Sequence, residues 1–552
     1  MAFSLGNRSG PAVYVRGLPR RLLFLARSTP RLALAVFPIV AWSIVSVSLG
    51  LLLGFAAVIL PPTGTFGIVA IAGIALLWAL PDLPHVPTKV VRASFFIMLV
   101  VILTIPSYYT LIVPGLPWIS ARRLVTFGLI IPFVIAVAGS SQERHNISTI
   151  FTGSALLSLF CIGFFIMTVV STITSRDLSQ SSSQMSDIIL SWYTPLFAAV
   201  LVIRSKEDVL TVMKIICFSS LLISAIALYD YMFMRQFYIN FLPPQMLRAI
   251  IESSPQMSNL GVMIFRNGLP RSTSVFLSPL ALAEFLAMTA PIGYYFVAQG
   301  QSARERALGI GVTIMCLVGI YCSGSRGGWN CLIGASVAFV GIWLLRKMRF
   351  NRNSLLPAFA SVTAAVTFVV LLVLILFWRP LHNMVLGGGA EAASDSGRAV
   401  QWALAIPKIL QSPIVGYGVN VSTQTVGYTT PGGALTLDSY AISLLVDNGI
   451  PGFVFFAGMI VIGIFFGVRE YITKPTTQAA MAGSLACSLV AFGIYRLYLS
   501  QRENHTLFFI LVGLVMWLMS ARAHSASEGA PDASPIAKKV GAVGATHAWN
   551  AV

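Results

Sequence analysis

Long apolar runs recur along almost the whole sequence, and they constrain its fold more than any other feature. A transmembrane helix needs about 20 predominantly apolar residues, and runs of that length follow one another with short polar intervals between them. Of the 552 residues, 57% are hydrophobic and only 10% are charged, and the mean hydropathy is +0.83. These values predict an all-α fold, a polytopic transmembrane helical bundle, rather than a soluble protein.

Length and hydropathy predict about 12 to 14 membrane spans. The predicted spans lie at 37–60, 66–82, 93–114, 122–139, 149–174, 190–204, 209–231, 276–298, 307–322, 329–346, 356–378, 450–468, 478–496 and 505–520. Residues 175–190 are predicted to form a polar outer loop.

The positive charges predict the orientation of these spans. The formal net charge is +18, but the basic residues lie in short loops, which is typical of membrane orientation signals and not of a folded domain that binds nucleic acid. With the arginine-rich N-terminus inside, nearly every basic cluster falls inside. The predicted parts are therefore a cytoplasmic basic N-terminus (1–36), a transmembrane domain (37–520) with outer loops 232–275 and 379–449, and a disordered cytoplasmic tail (521–552).

Some arginines fall on the outer side instead. They are Arg122, Arg123, Arg235, Arg248, Arg266, Arg271, Arg326, Arg379, Arg398, Arg496 and Arg502. Arginine presents a planar fork of donors that binds phosphate in bidentate fashion. The cluster therefore predicts an anionic ligand reached from the outer leaflet, with a lipid pyrophosphate as the natural candidate. Surface residues or headgroup anchors are the alternative for Arg235, Arg248 and Arg502.

Arg326 lies in the turn SGSRGGW, between two apolar spans. An unpaired charge there is costly unless it serves a site. Gly324, Gly327 and Gly328 are expected to turn the backbone sharply and to leave room for a headgroup, and a simple helix-to-helix turn with close packing is the alternative. The six histidines do not cluster, and no standard soluble-enzyme motif is present. We therefore expect no metal and no cofactor.

Three stretches resemble the O-antigen ligase and Wzy-type polymerase superfamily of bacterial membrane glycosyltransferases. They are RSTSVFLSPLALAEFLAMTAP from Arg271, SGSRGGW from Ser323, and GRAVQWALAIPKILQSPIVGYGVN from Gly397 followed by LDSYAISLLVDNGIPG. In the last stretch the resemblance includes Gly397, Arg398, Trp402, Pro413, Gly416, Gly418, Asp447, Gly449 and Gly452. Together these stretches lie within residues 271–452, about a third of the chain.

The resemblance implies a reaction in which a glycan leaves an undecaprenyl-diphosphate carrier and joins an acceptor hydroxyl. It implies that Arg326 binds the diphosphate and that Arg271 and Arg398 assist. Arg266, Tyr440 and Arg122 are further candidates for substrate binding. The implied location is the bacterial inner membrane, multi-pass, with both termini cytoplasmic and the active site facing the periplasm. The expected partners are the lipid-linked glycan and membrane lipid, with a chain-length regulator as a candidate and no nucleic acid.

Asp438 stands where the ligases are expected to carry a histidine. A carboxylate can accept a proton from a sugar hydroxyl, so Asp438 is a candidate general base, and a helix N-cap is the alternative because a helical run follows it. The missing histidine favours a polymerase of lipid-linked repeat units. A ligase that uses lipid A–core is the alternative, and an anion or lipid-intermediate transporter is the second alternative.

Overall fold

The structure is a computed structural model of the chain. It describes residues 82–83, 85–111, 119–253, 260–266, 268–350, 355–379, 382, 392–430, 433 and 435–528. The predicted N-terminal segment 1–36, the spans at 37–60 and 66–82 up to residue 81, and the tail beyond Glu528 therefore lie outside the described residues.

The described chain is helical almost throughout, as predicted, with two short hairpins. The helices are α1 (Thr88–Thr104), α2 (Ala121–Ala138), α3 (Ser141–Gly153), α4 (Ala155–Ile173), α5 (Leu178–Ile188), α6 (Thr194–Val202), α7 (Lys206–Phe233), α8 (Pro244–Ser253), α9 (Pro279–Gln299), α10 (Ala303–Ser323), α11 (Arg326–Phe350), α12 (Leu356–Phe377), α13 (Ala392–Gln411), α14 (Ser422–Val426), α15 (Tyr440–Thr473), α16 (Thr477–Tyr498) and α17 (His505–Glu528). The strands are β1 (Thr110–Leu111) paired with β2 (Ile119–Ser120), and β3 (Ile264–Arg266) paired with β4 (Leu269–Arg271).

Within the described residues, nine helices are long and apolar enough to cross a membrane, and this confirms the predicted multi-pass bundle. They are Ala121–Ala138, Ala155–Ile173, Leu178–Val202, Lys206–Phe233, Pro279–Gln299, Ala303–Ser323, Arg326–Phe350, Tyr440–Thr473 and Thr477–Tyr498. Two shorter apolar helices, Ser361–Phe377 and His505–Ala521, coincide with two more of the predicted spans.

Several predicted boundaries are wrong. The loop predicted at 175–190 is mostly α5, which continues through a π-helical turn, Ile189–Tyr193, into α6. The span predicted at 149–174 is divided at Ser154, and the span predicted at 93–114 already ends at Thr104. The prediction depends on hydropathy, and the polar residues of α5 give no such signal. This helix is stabilised instead by packing against the bundle.

The most buried spans are α9 and α16, which form the centre of the bundle. Helix α9 begins with the N-cap Ser278, whose hydroxyl accepts the N–H of Ala281 at 3.1 Å, and with Pro279 in its first turn. This combination favours a helix start at this point, since Pro is favoured in the first turn of a helix and the cap satisfies an orphan donor.

A second, smaller hydrophobic core joins the long loop to the start of the span α15. It is built from α13, α14 and the first turns of α15, and its buried residues are Ala405, Ile409, Tyr417, Val421, Val426, Leu437, Ile442 and Val446. The predicted long loop 379–449 is therefore partly helical, as expected, and has a packed interior of its own.

Candidate functional site

The turn that carries Arg326 also holds Arg271. Helix α10 ends at Ser323, Gly324 takes a left-handed conformation with φ +58°, and α11 begins at Arg326. The Arg271 Nε donates to the carbonyl of Ser323 at 2.9 Å. Two of the arginines predicted to bind the diphosphate, 55 positions apart in the sequence, are therefore brought to one turn.

The glycines of this turn serve its shape and packing. Gly324 supplies the left-handed residue at the end of α10. A Cβ on Gly328 would lie 2.6 Å from the Ala283 Cβ, so this glycine lets α11 pack closely against α9. These contacts of Gly324 and Gly328 fit the alternative given above, a helix-to-helix turn with close packing.

The last turn of α16 lies beside the Arg326 turn. The Tyr495 hydroxyl donates to the carbonyl of Leu280 at 2.6 Å and lies 3.2 Å from the Ser325 hydroxyl. Three residues further along α16, the Tyr498 ring lies 5.8 Å from the Arg398 guanidinium. Helix α16 thus connects the Arg326 turn to α13, which carries Arg398.

Asp438 is held by α13 as well. Its backbone N–H donates to the Gln401 Oε1 at 3.0 Å, and its Oδ1 accepts the Thr436 hydroxyl at 3.4 Å. Gln401 is buried and lies one helical turn beyond Arg398. The N-cap of α15 is Ser439, with no side-chain capping bond, so the capping role considered for Asp438 is wrong.

The segment 499–504, between α16 and α17, is a part of the site that sequence reasoning missed. The Ser500 hydroxyl donates to the carbonyl of Leu437, next to Asp438. The Asn504 amide donates to the carbonyl of Ala281 and to the Glu284 carboxylate, at 2.8 and 2.9 Å. The sequence signal that marks this segment is a run of polar residues, SQREN, between two apolar spans.

A buried ion pair lies behind this segment. The Arg496 guanidinium binds the Glu284 carboxylate and the carbonyl of Gln501, and both charged side chains are at most 5% exposed. The Arg496 guanidinium also lies 5.4 Å from the Tyr440 ring. Tyr440, a predicted substrate-binding residue, is only 2% exposed and packs on the His505 ring.

The glycine-rich motif of the long loop meets the kink of α15. Gly449 breaks the helix with φ +69° and ψ −176°. The Asp447 carboxylate accepts the backbone N–H groups of Asn420, Val421 and Ser422 at 3.0, 3.1 and 2.7 Å. We call this contact of residues 413–422 with the kink the Asp447 junction. Arg502 joins it, with Nη2 3.4 Å from the Asp447 Oδ2.

Arg122 lies in the first turn of α2, and Arg266 lies in the β3–β4 hairpin that also carries Arg271. Arg122 Nε donates to the carbonyl of Ile105 at 3.1 Å, and its side chain lines a cavity of about 440 Å³ together with Arg502 and Glu503. Arg266 pairs with Leu269 beside the hairpin turn, whereas Arg271 pairs with Ile264 at the base of the same hairpin.

Glu503 is a buried carboxyl outside the spans. Both of its carboxylate oxygens accept the backbone N–H of Leu277, at 3.3 and 3.1 Å. Burial raises the pKa of the Glu503 carboxyl to about 7, although the nearby Arg122 and the Leu277 N–H oppose that rise. A carboxyl with this pKa can give or take a proton near neutral pH.

Comparison with known proteins identifies one family. Residues 311–457 match the protein-family model described as O-antigen ligase. The match includes Arg326, Arg398, Asp438, Tyr440, Asp447 and residues 413–422 of the Asp447 junction. Arg122, Arg266, Arg271 and the segment 499–504, which includes Arg502, lie outside it. No curated protein matches the chain. The match confirms the resemblance of the two stretches within residues 311–457, whereas the stretch from Arg271 to Pro291 lies outside it.

Proposed function

We propose that this chain, a member of the O-antigen ligase and Wzy-type superfamily by its match over residues 311–457, is a polysaccharide polymerase. It joins undecaprenyl-diphosphate-linked repeat units at the periplasmic face of the bacterial inner membrane, without metal or nucleotide sugar. The product is an O-antigen, a capsule or an exopolysaccharide. Both termini are cytoplasmic.

The convergence of three arginine-bearing segments on the end of α16 carries this proposal. Arg271 binds the turn of Arg326, Tyr495 contacts the same turn through Ser325, and Arg398 lies over Tyr498. In this proposal Arg326 binds the donor diphosphate, and Arg271 and Arg398 assist it. Preplaced guanidinium groups stabilise the charge that develops on a departing diphosphate without reorganising.

Asp438 is the proposed general base. The Gln401 side chain and Ser500 of the 499–504 segment hold the peptide group that precedes Asp438, through its N–H and the Leu437 C=O. Its carboxylate would take the proton from the acceptor hydroxyl as the oxygen attacks the anomeric carbon. The glycosidic bond forms while the bond between that carbon and the diphosphate oxygen breaks, and the lipid diphosphate leaves.

The family matched over residues 311–457 is that of O-antigen ligases, which favours a ligase as the second candidate. A ligase would use the same donor site and would transfer the glycan to lipid A–core. The two functions differ only in the acceptor, so the acceptor must be varied in the test.

The test is reconstitution of the purified full chain with undecaprenyl-diphosphate repeat units and no nucleotide sugar or metal. A ladder of longer lipid-linked chains supports the polymerase, and a product that requires lipid A–core supports the ligase instead. The absence of product together with flux of the lipid intermediate across vesicles would overturn both and favour the transporter. Arg326→Ala is expected to abolish the product, whereas Arg248→Gln, at an exposed arginine of α8, leaves it unchanged.

A further inference from the structure

A polar cavity lies between the hairpin β1–β2, the start of α2, helix α5 and the 499–504 segment. Its volume is about 440 Å³, and its charged lining residues are Arg122, Arg123, Asp187, Arg502 and Glu503. We call it the Arg122 cavity. Its lining residues do not include Arg271, Arg326 or Arg398, so the proposed donor site leaves its role unexplained.

We propose that the Arg122 cavity binds the diphosphate of a second lipid-linked substrate, the acceptor, while the Arg326 turn binds that of the donor. This proposal rests on the proposed polymerase function, which requires two lipid-linked substrates at once. It assigns one group of arginines to each diphosphate.

The donors in the cavity support an anionic ligand. Arg123 is paired with Asp187 at 2.7 Å, and Arg502 reaches the Asp447 carboxylate at 3.4 Å. Arg122 binds the Ile105 carbonyl through Nε, but its Nη2 is buried and has no hydrogen-bond partner among the described residues. A buried donor without a partner is costly, and a phosphate oxygen would satisfy it with a charge-assisted bond.

Glu503 makes the cavity sensitive to protonation. The groups that face it are Arg122 from α2, Tyr108 before β1, the Leu277 N–H before α9, and the more distant Glu284. Arg123 with Asp187, and Arg502, complete the charged lining. When neutral, the Glu503 carboxyl can donate to a phosphate oxygen; when ionised, it neutralises Arg122 and repels the phosphate.

The 499–504 segment connects the two proposed sites. Arg502 and Glu503 line the Arg122 cavity, whereas Ser500 binds the Leu437 carbonyl beside Asp438. An acceptor diphosphate in the cavity would therefore lie across this segment from the proposed base. Helix α2 also exposes Leu124, Phe127 and Ile131, which gives a polyprenyl chain an apolar surface on the same helix.

The experiment measures the stoichiometry of farnesyl diphosphate binding to the full chain in nanodiscs by calorimetry. We expect two sites in the native chain and in the control Arg248→Gln. One site is expected to be lost or weakened by about tenfold or more in Arg122→Gln, and the other in Arg326→Ala. Arg122→Lys keeps the charge and is expected to retain part of the affinity, which separates a binding defect from misfolding.

The outcomes distinguish the two proposals. A single site that Arg326→Ala removes and Arg122→Gln leaves intact overturns the second site but not the proposed function. A single site that only Arg122→Gln removes contradicts the proposed donor site, and no binding at all overturns both. Inorganic pyrophosphate is tested as a competitor. If its affinity for the Arg122 cavity equals that of farnesyl diphosphate, the cavity takes a soluble anion and the lipid assignment is wrong.

The pH dependence of binding gives a second readout. Affinity at the Arg122 cavity is expected to fall by about tenfold between about pH 6 and about pH 8, because Glu503 ionises in that range. Glu503→Gln keeps an acceptor for the Leu277 N–H and removes the titration. The same pH dependence in Glu503→Gln would trace it to the ligand and overturn the role of Glu503.

Discussion

The carboxylate of Asp447 accepts a hydrogen bond from the backbone N–H of Ser422 at 2.7 Å. The same carboxylate accepts two more backbone N–H groups, and its own backbone carbonyl accepts the Ser171 hydroxyl at 2.5 Å. The acidic residue of the family motif therefore fixes the long loop to the kink of α15. These contacts give it a structural role, distinct from the proposed chemistry at Asp438.

Asp447→Asn is expected to lower the stability of the chain by about 1–3 kcal/mol, because the amide group turns donors towards backbone N–H groups that need an acceptor. Thermal unfolding in detergent measures the change. The control is Glu207→Gln, which alters a carboxylate that is 66% exposed, and it should leave the transition in place. An unchanged transition in Asp447→Asn would mean that the junction does not depend on this carboxylate.

Gly449→Ala is expected to destabilise the chain more than a typical surface mutation. The residue has φ +69°, and an added Cβ would lie 2.3 Å from the Ile414 carbonyl oxygen. The left-handed conformation alone costs about 1–2 kcal/mol for a residue with a side chain. The matched control is Gly341→Ala within α11, where an added Cβ meets no atom within 4 Å. Equal unfolding temperatures for the two variants would contradict the kink geometry.

Substitutions of Arg496 and Glu284 are expected to have non-additive effects on the free energy of unfolding. Arg496→Leu leaves Glu284 charged and buried, which typically costs about 3–5 kcal/mol. The double variant Arg496→Leu/Glu284→Leu removes both charges and should recover much of that loss. A thermodynamic cycle from the unfolding of the two single variants and the double variant tests this coupling. Additive effects would show that the two side chains do not interact energetically.

Asp438→Asn is expected to lower kcat by about 10²–10⁴-fold if the carboxylate is the base. The backbone N–H that binds Gln401 is unchanged in this variant, so the unfolding temperature should stay close to that of the native chain. Turnover in the reconstituted assay and thermal unfolding are measured on the same preparation. Near-normal turnover would remove Asp438 from the chemistry.

Glu503 predicts a pH dependence of stability. Its pKa is about 7 in the folded chain and near its ordinary value of 4.5 in the unfolded chain. Between these two values the folded state binds more protons, so stability falls as the pH rises through this window. Glu503→Gln should flatten that part of the unfolding profile. A profile identical to that of the native chain would contradict the raised pKa.

Hydropathy predicted the bundle because each span must satisfy its backbone hydrogen bonds within a helix in lipid. The same signal missed α5, which is polar and depends on its neighbours, and it placed the end of α1 ten residues too late. The arginine pattern and the motifs singled out Arg271, Arg326, Arg398 and Asp438 as candidates. The Arg326 turn and the contacts at the end of α16 bring the segments of these residues together, but their roles in binding and chemistry stay predictions.

The sequence by itself determined the class of fold, the resemblance to a family and the residue types able to bind a diphosphate, because these depend on local composition and short motifs. Only the tertiary structure decided how those residues are grouped. It placed Arg122 in one cavity with Arg502 and Glu503, assigned the N-cap position of α15 to Ser439, and brought Leu277 and Glu284 to the 499–504 segment. Such groupings depend on contacts between residues hundreds of positions apart, and packing of the helices sets those contacts.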